Sequence, residues 1–209
     1  MPAILLFIND ASSNDKTLID TLIVWDSQLT AHGLKIMEYR KNFVKKINIL
    51  ANSIHKSLTN DKESLTIIYK NNVSAEDFMT RLEKNRERDI ALGTTSIGVH
   101  KDDLVFFLND IDARTYGSQG QRRCVSLSLK MAEIEFIKAE TSKNPILLLD
   151  DVLSELDKKR QKSLINSIGG IQTIITCTGM DVLSPAYFAE NAEIDVYNVD
   201  NGEIRKNLL

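Results

Sequence analysis

The sequence predicts an α/β protein in which a helical segment precedes a largely parallel sheet. Apolar residues recur at helical spacing through roughly the first sixty positions. Short apolar runs then alternate with amphipathic stretches over the second half, as in strands covered by helices. One of these runs, Pro145–Asp150, is apolar until its final residue, which is typical of a strand buried on both faces.

Composition and charge exclude several classes of protein. The chain has 209 residues, of which 43% are hydrophobic and 26% charged, so it can bury a core. Its formal net charge of −3 argues against a surface that coats nucleic acid throughout, but it allows a local basic stripe. The apolar runs are too short for a membrane helix, and no basic flank marks a signal peptide. Cys124 and Cys177 have neither disulfide-scaffold nor zinc-site spacing.

Residues 1–62 are predicted to form a pair of antiparallel helices. Apolar residues recur close to helical spacing from Leu18 to Ile36 and at intervals of three and four from Phe43 to Leu58, and Gly33 is expected to interrupt the helix. The remaining faces carry basic residues, namely Lys35, Arg40, Lys41, Lys45, Lys46 and Lys56. A solvated helix face explains them most simply. The alternative is a stripe that contacts a phosphate backbone.

Residues 63–92 are predicted to form a strand over Leu65–Tyr69 and then a helix. Ser74 is expected to cap this helix, and Gly93 to end it. In 93–209 we expect a strand at Asp103–Leu108 and a tight turn at 109–112. The remaining predicted elements are helices at Gln119–Glu140 and Lys158–Ile168, and strands at Pro145–Asp150, Ile171–Cys177 and Ile194–Val199.

Two acidic residues, Asp150 and Asp151, follow the apolar strand directly. Ligands of open α/β sheets bind at the carboxyl ends of strands, which is where these carboxylates should lie. One carboxylate there can hold Mg²⁺, and its neighbour can orient or deprotonate a water molecule. This is the Walker B pattern, although many strands also end in Asp for turn formation.

A second candidate site lies at the start of the helix that begins near Gln119. Ser118 can cap this helix, and Gly120 permits a close approach of the backbone to a ligand. Unpaired N–H groups and the positive end of the helix dipole favour an anion there. The simpler interpretation is an ordinary capped helix, but the helix leads directly into the Walker B strand.

These segments resemble the RecF family of bacterial DNA replication and repair ATPases, which are of the ABC type and related to the heads of SMC proteins. Gly117–Arg122 and Pro145–Asp157 resemble the signature motif, Walker B strand and D-loop of that family. Val24–Leu29 resembles its helical arm. Gly98–Asp103 is similar to its Gly-Pro-His-Arg-Asp-Asp segment, with two substitutions. The resemblance covers roughly residues 15–200.

The resemblance implies that the chain is the C-terminal portion of an ABC/SMC-type ATPase head with a helical arm. Residues 1–62 would be the first part of the arm, 63–92 a strand and helix returning to the head, and 93–209 the C-terminal part of the head. It implies a bacterial cytoplasmic protein without a membrane partner. In full length it would form an ATP-dependent homodimer that binds DNA at gaps or single-strand/double-strand junctions. It would load recombinase with the partners RecO and RecR.

The resemblance also assigns residue roles. Asp150 would hold Mg²⁺, and Asp151 would be the hydrolytic carboxylate. Most ABC proteins have Glu there, so the shorter side chain suggests slow turnover. Asp157 would lie at the dimer seam, and Thr176 would occupy the switch position that usually holds His. The residues expected to bind ATP held by the other protomer are Ser118, Gln119, Gly120 and Gln121, near the γ-phosphate.

The chain contains no phosphate-cradling loop of the form Gly-x-x-x-x-Gly-Lys-Ser/Thr. Its closest approximation, Gly93–Gly98, is followed by Val99 and His100 rather than by Lys. The RecF family carries this loop nearer the N-terminus. We therefore expect ATP and Mg²⁺ to be cofactors of the full-length protein, and the chain alone to bind neither and to be inactive.

Three alternatives remain open at this point. The chain could be a head fragment of another SMC-like ATPase, although its short helical segment favours RecF. It could be a metal-dependent nuclease that uses Asp102, Asp103, Asp150 and Asp151. Capping or a surface turn explains the first two of these acids more simply. Finally, it could be a purely structural or binding module.

Overall fold

The computed structural model describes residues 16–178 and 193–207, which divide into two units between Phe136 and Ile137. Both units contain helices and strands, so the predicted α/β class is confirmed. Up to residue 141 the elements are α1 (Lys16–Thr59), β1 (Leu65–Lys70), α2 (Phe78–Leu92), β2 (Asp103–Leu108), β3 (Ile111–Asp112), α3 (Ala113–Tyr116) and α4 (Gln119–Thr141). The later elements are β4 (Leu147–Asp150), α5 (Lys158–Ser167), β5 (Thr173–Thr176), β6 (Val196–Asp200) and β7 (Glu203–Asn207).

Strand pairing is more varied than the predicted, largely parallel sheet. β1, β2 and β3 form an antiparallel sheet, β4 and β5 form a parallel pair, and β6 and β7 form an antiparallel hairpin. Asn109 and Asp110 take left-handed backbone angles (φ 47° and 67°) and close a two-residue turn between β2 and β3. Such a short connection can join only antiparallel strands.

Helix α1 is a single helix of 44 residues, so the predicted antiparallel helix pair is wrong. Gly33 lies within it and does not interrupt it, because one glycine costs a helix only about 1 kcal/mol. The absence of a side chain serves packing instead. A methyl group at position 33 would overlap the ring of Phe78, the first residue of α2, which is 2% exposed.

The core of the first unit lies between α1, the sheet and α4. Its central members are Val44, Ile47, Ala51, Leu65, Ile67, Leu108, Ala113, Val125 and Ala132. The α1 members recur at three- and four-residue intervals, as the sequence predicts, and they pack on alternate residues of β1. None of the helices in residues 16–178 and 193–207 combines the length and apolarity that a membrane span requires.

Two asparagines of α1 bind the outer edge of β1. Asn52 Oδ1 accepts a hydrogen bond from the N–H of Leu65 (3.0 Å), and Asn48 Oδ1 accepts one from the N–H of Ile67 (2.6 Å). Since β1 is an edge strand, these N–H groups face away from β2 and need partners from outside the sheet. The helix supplies these partners and fixes its own register on the strand.

Helix α2 ends as predicted, but it begins later. Gly93 has φ 60° and closes the helix with its N–H on Ile90 O. The helix starts at Phe78 with Asp77 at the N-cap position, whereas Ser74 was expected to cap it. The Ser74 hydroxyl instead accepts the N–H of Asp77 (3.1 Å), which forms a separate turn before the helix.

Asp102 occupies the C-cap position of a short 3-10 helix, Val99–Lys101, as the capping interpretation expects, but its side chain is buried in a polar cluster and not in a surface turn. Its side chain is 3% exposed, and Oδ2 accepts hydrogen bonds from Arg40 of α1 (3.0 Å) and from the Tyr69 hydroxyl. Oδ1 accepts the N–H of Asn72 (2.8 Å). Burial and the hydrogen bond to Asp102 raise the pKa of Tyr69 to about 12. Asp102 thus binds Arg40, Tyr69 and Asn72 together, and this cluster joins α1 to the sheet.

The neighbouring Asp103 differs from Asp102 in being exposed. It pairs with Arg114 (2.9 Å) at the surface, and this hydrogen bond lowers the pKa of the Asp103 carboxyl. Both acids are therefore committed to contacts within the protein, and the nuclease interpretation receives no support from them.

In the second unit, β4 and β5 are parallel, as predicted, and they are neighbours in the sheet. The expectation that β4 is buried on both faces is wrong for the described residues. Leu149 is 6% exposed, but Leu148 is 69% exposed, and its cross-strand neighbour Ile174 is 56% exposed. The pair therefore presents one apolar face that no described residue covers.

The last predicted strand, Ile194–Val199, corresponds to β6, and its partner β7 was not predicted. The two strands pair from Val196 with Asn207 to Asp200 with Glu203. Gly202, at φ 82°, lies in the turn between them. Side chains of β6 and β7 such as Tyr197, Val199 and Ile204 are exposed, so no buried alternation marks β7.

We predict that Asp102→Ala lowers the free energy of unfolding by about 2–3 kcal/mol, because it leaves the Tyr69 hydroxyl and the Asn72 N–H without their acceptor and removes the ion pair of Arg40. Urea denaturation monitored by circular dichroism measures this loss. Asp103→Ala is the matched control and should leave the midpoint almost unchanged, because an exposed ion pair contributes little. Equal losses in the two variants would contradict the structural role of Asp102.

Candidate functional site

The parallel pairing of β4 and β5 brings three predicted site residues together. Asp150 lies opposite Thr176 in the register of the two strands. The Thr176 hydroxyl donates to Asp150 Oδ1 (2.5 Å) and accepts the N–H of Asp151 (3.0 Å). A single threonine thus bridges the side chain of one acid and the backbone of the other.

Strand β4 ends because Asp151 leaves the extended conformation. Its φ is 50°, a left-handed value that costs a non-glycine residue about 1 kcal/mol. The hydroxyl of Ser154 compensates by donating to Asp151 O (2.7 Å), and Thr176 holds the Asp151 N–H. Contacts from both sides therefore hold this turn at the strand end, where non-ideal backbone commonly marks functional sites.

Both acids are exposed, so they are accessible to a ligand. Carboxylate oxygens are the ligands that Mg²⁺ prefers, and one or two of them usually suffice when water and phosphate complete the octahedron. No group of three or more His, Cys, Asp or Glu residues within 16–178 and 193–207 is arranged to hold a metal. The arrangement therefore fits Mg²⁺ bound jointly with a phosphate ligand better than a closed protein metal site.

The segment after the acids is held by a residue that sequence reasoning missed. Gln161 of α5 is 8% exposed, and its amide donates to Leu153 O (2.8 Å) and Leu156 O (3.1 Å). Asp157 caps α5, accepting the N–H of Arg160 (3.0 Å) and pairing with its guanidinium (3.0 Å). Its expected place at a dimer seam stays a prediction. The sequence carries no signal for this anchoring, because the burial of Gln161 is set by tertiary packing.

In the first unit, Ser118 and Gln121 form a reciprocal capping box at the start of α4. The Ser118 hydroxyl accepts the N–H of Gln121 (3.2 Å), and Gln121 Oε1 accepts the N–H of Ser118 (2.8 Å). Gln119 and Gly120 occupy the first helical positions, whose N–H groups have no acceptor within the helix. Space is open around Gly120, where an added Cβ would have no neighbour within 4 Å. The four predicted residues thus lie together.

The capping box is connected to α1 by side chains that the sequence did not single out. Gln121 Nε2 donates to Glu63 Oε1 (2.9 Å), and Glu63 Oε2 lies 3.2 Å from His55 Nε2. His55 is 0% exposed, and its Nδ1 lies 2.9 Å from the hydroxyl of Ser128 in α4. The one sign of these contacts in the sequence is the position of His55 on an otherwise apolar helix face.

Two of the basic residues in the predicted stripe have contacts within the protein, so fewer of them are available to a ligand. Arg40 is bound to Asp102 and to the carbonyl of Val99, and the Lys46 ammonium lies 5.7 Å from the centre of the Phe136 ring. Lys41 and Lys45 are exposed on α1. Of the basic residues in the predicted stripe, Arg40 therefore has a structural role, and exposed lysines such as Lys41 and Lys45 are the better candidates for contact with DNA.

The chain is similar to known proteins in both sequence and structure. No protein-family model matches the chain. A curated DNA replication and repair protein RecF from Lachnoclostridium phytofermentans is 49% identical over 193 residues, covering 92% of this chain and 52% of the relative. The RecF protein of Lachnospira eligens is 49% identical over 171 residues, covering 82% of this chain and 47% of the relative. A Clostridium botulinum RecF is 41% identical, covering 95% and 56%.

Solved structures give the same result. The recombination mediator protein RecF-ATP in the RecFOR pathway matches with a TM-score of 0.77 and 29% identity, covering 99% of this chain and 54% of that chain. A second structure, of RecF-ATPrS, matches with a TM-score of 0.76. The chain thus spans about half the length of the relatives it matches. From this agreement of sequence and fold, we conclude that the chain belongs to the RecF family and fits the C-terminal portion of a RecF protein.

Proposed function

We propose that the chain forms part of an ATP-dependent DNA replication and repair protein of the RecF type. The observation that carries the proposal is the cluster of Asp150, Asp151 and Thr176 at the end of a parallel strand pair. The similarity to a RecF structure named with ATP supports a nucleotide as the ligand of the complete protein. We keep residues 1–62 as the arm, 63–92 as the return segment and 93–209 as the head portion.

Bound Mg²⁺ would neutralise phosphate charge and orient the triphosphate. Asp150 is the proposed ligand of the ion, with Thr176 fixing its carboxylate through Oδ1. Asp151 is the proposed acceptor that orients the attacking water, and its backbone is fixed by Thr176 and Ser154. Each residue thus has a role that matches its contacts.

The Ser118–Gln121 segment is proposed to act on a nucleotide held by a second copy of the protein. Its capping box leaves the N–H groups of Gln119 and Gly120 available for the oxygens of a γ-phosphate. The second copy would place Asp157 at the dimer seam. DNA at gaps or strand junctions, with RecO and RecR as partners in the bacterial cytoplasm, completes the proposal, and the pathway named for the similar structure supports it.

We expect the complete gene product to dimerise when Mg-ATP is added, as measured by sedimentation velocity. Asp151→Asn should retain this dimer but slow hydrolysis about 100-fold, because an amide cannot accept the proton of the water. Asp110→Asn is the matched control, since Asp110 is also an exposed Asp with positive φ (67°). Hydrolysis at the normal rate in Asp151→Asn, or a wild-type protein that stays monomeric with ATP, would refute the proposal.

DNA binding through α1 should depend on its exposed lysines. Replacing Lys41 and Lys45 by Ala should weaken binding of the complete gene product to a single-strand/double-strand junction. It should also lower the slope of log K against log salt by about 2, as expected for two lost phosphate contacts. Fluorescence anisotropy over a salt series measures both quantities. Lys62→Ala with Lys84→Ala, two exposed lysines elsewhere, serves as the control, and an equal slope in both doubles would exclude the stripe.

A further inference from the structure

Gln121 can support the capping box in only one orientation of its amide group. The oxygen Oε1 must face the N–H of Ser118, which it does at 2.8 Å. A rotation of the amide by 180° would place the NH₂ group against that N–H, and two donors cannot bond each other. The capping box therefore needs something that distinguishes the two ends of this amide.

Glu63 supplies that distinction. Its carboxylate accepts but does not donate, and its Oε1 takes a hydrogen bond from Gln121 Nε2 at 2.9 Å. The nitrogen is thereby held toward Glu63, which leaves Oε1 for Ser118. The Glu63 carboxylate thus selects the orientation of the Gln121 amide that supports the capping box, and it acts on Ser118 through two successive hydrogen bonds.

Glu63 is itself fixed by α1. Its second oxygen lies 3.2 Å from Nε2 of the fully buried His55, and the ring is held on its other side by Ser128 of α4. The Ser128 hydroxyl also donates to Cys124 O (2.7 Å), so Ser128 connects the ring to the backbone of α4. The chain of contacts thus begins and ends on α4 and passes through the end of α1.

We propose that Glu63 is a positioning residue for the Ser118–Gln121 segment, and that through it the end of α1 controls how this segment engages phosphate. The effect on phosphate binding rests on the proposed function, whereas the contacts of Glu63 with Gln121 and His55 do not depend on it. Displacement of the α1 end would release the Gln121 amide and disorder the capping box. Ligand binding along α1 and phosphate binding at the α4 start would then be coupled, each favouring the same ordered arrangement.

The geometric part is tested on this chain by amide hydrogen exchange at Ser118. Glu63→Ala should make this amide exchange about tenfold faster, because the Gln121 amide can then rotate. Adding Gln121→Glu to that variant should restore slow exchange, since a carboxylate presents an acceptor in either orientation. A loss of general stability would not be repaired in this way. Glu76→Ala, an exposed acid before α2, is the control with unchanged exchange.

The functional part is tested on the complete gene product by the ATP concentration at half-maximal dimerisation. Glu63→Ala should raise it about tenfold, and Glu76→Ala should leave it unchanged. Should Glu63→Ala fail to fold, Glu63→Met retains the side-chain volume without the acceptor and is measured instead. Unchanged Ser118 exchange in the Glu63 variant, failure of Gln121→Glu to restore it, or an unchanged ATP requirement would overturn the inference. A wild-type protein that does not dimerise with ATP defeats the proposed function, whereas the exchange experiment still decides the role of Glu63.

Discussion

The first unit depends on how the outer edge of β1 is closed. Asn48 and Asn52 are four residues apart on α1, which corresponds to a rise of about 6 Å along the helix. The N–H groups that donate to them, those of Ile67 and Leu65, are two residues apart on β1, which corresponds to about 6.6 Å along the strand. The two spacings match, so helix and strand can be joined in only one register. The N–H groups of an edge strand that would otherwise be free to pair with another chain are satisfied by side chains instead.

This register determines where the later residues of α1 lie. His55 follows Asn52 by one turn, and Glu63 stands two residues before β1, so closing the strand edge brings the two side chains within contact of each other. The same placement brings α1 to Ser128 and Glu63 to Gln121. A structural device, the asparagine pair, therefore fixes the geometry of a segment that lies more than fifty residues later in the sequence.

The second unit uses a different device. Parallel pairing alone sets Thr176 beside Asp150, and its one hydroxyl both donates and accepts. Asp150, the proposed metal ligand, and Asp151, the proposed hydrolytic residue, are adjacent in sequence and both bind Thr176. Within residues 16–178 and 193–207 the contacts described for the two acids are with Thr176 and Ser154, which are uncharged, so the negative charge of the acids is left for a cation.

The sequence predicted those features that depend on local pattern. The two acids at the end of β4, the cap at Ser118 and the glycine end of α2 follow from residue types at fixed spacing. The contacts of Glu63 with Gln121 and of Arg40 with Asp102 join residues 58 and 62 positions apart, and no local pattern identifies them. The two-helix prediction failed because the low helix propensity of Gly33 costs the helix only about 1 kcal/mol. The close packing of Gly33 against Phe78 contributes more to the stability of the continuous helix.

That contact at Gly33 also restricts how the protein can change over evolutionary time. Any larger residue at position 33 needs a smaller ring or an aliphatic chain at position 78, because the two share one volume. The two positions are sterically complementary, so a change at one requires a change at the other. A graft of α1 onto a relative, or of α2 onto this chain, must therefore carry both residues together.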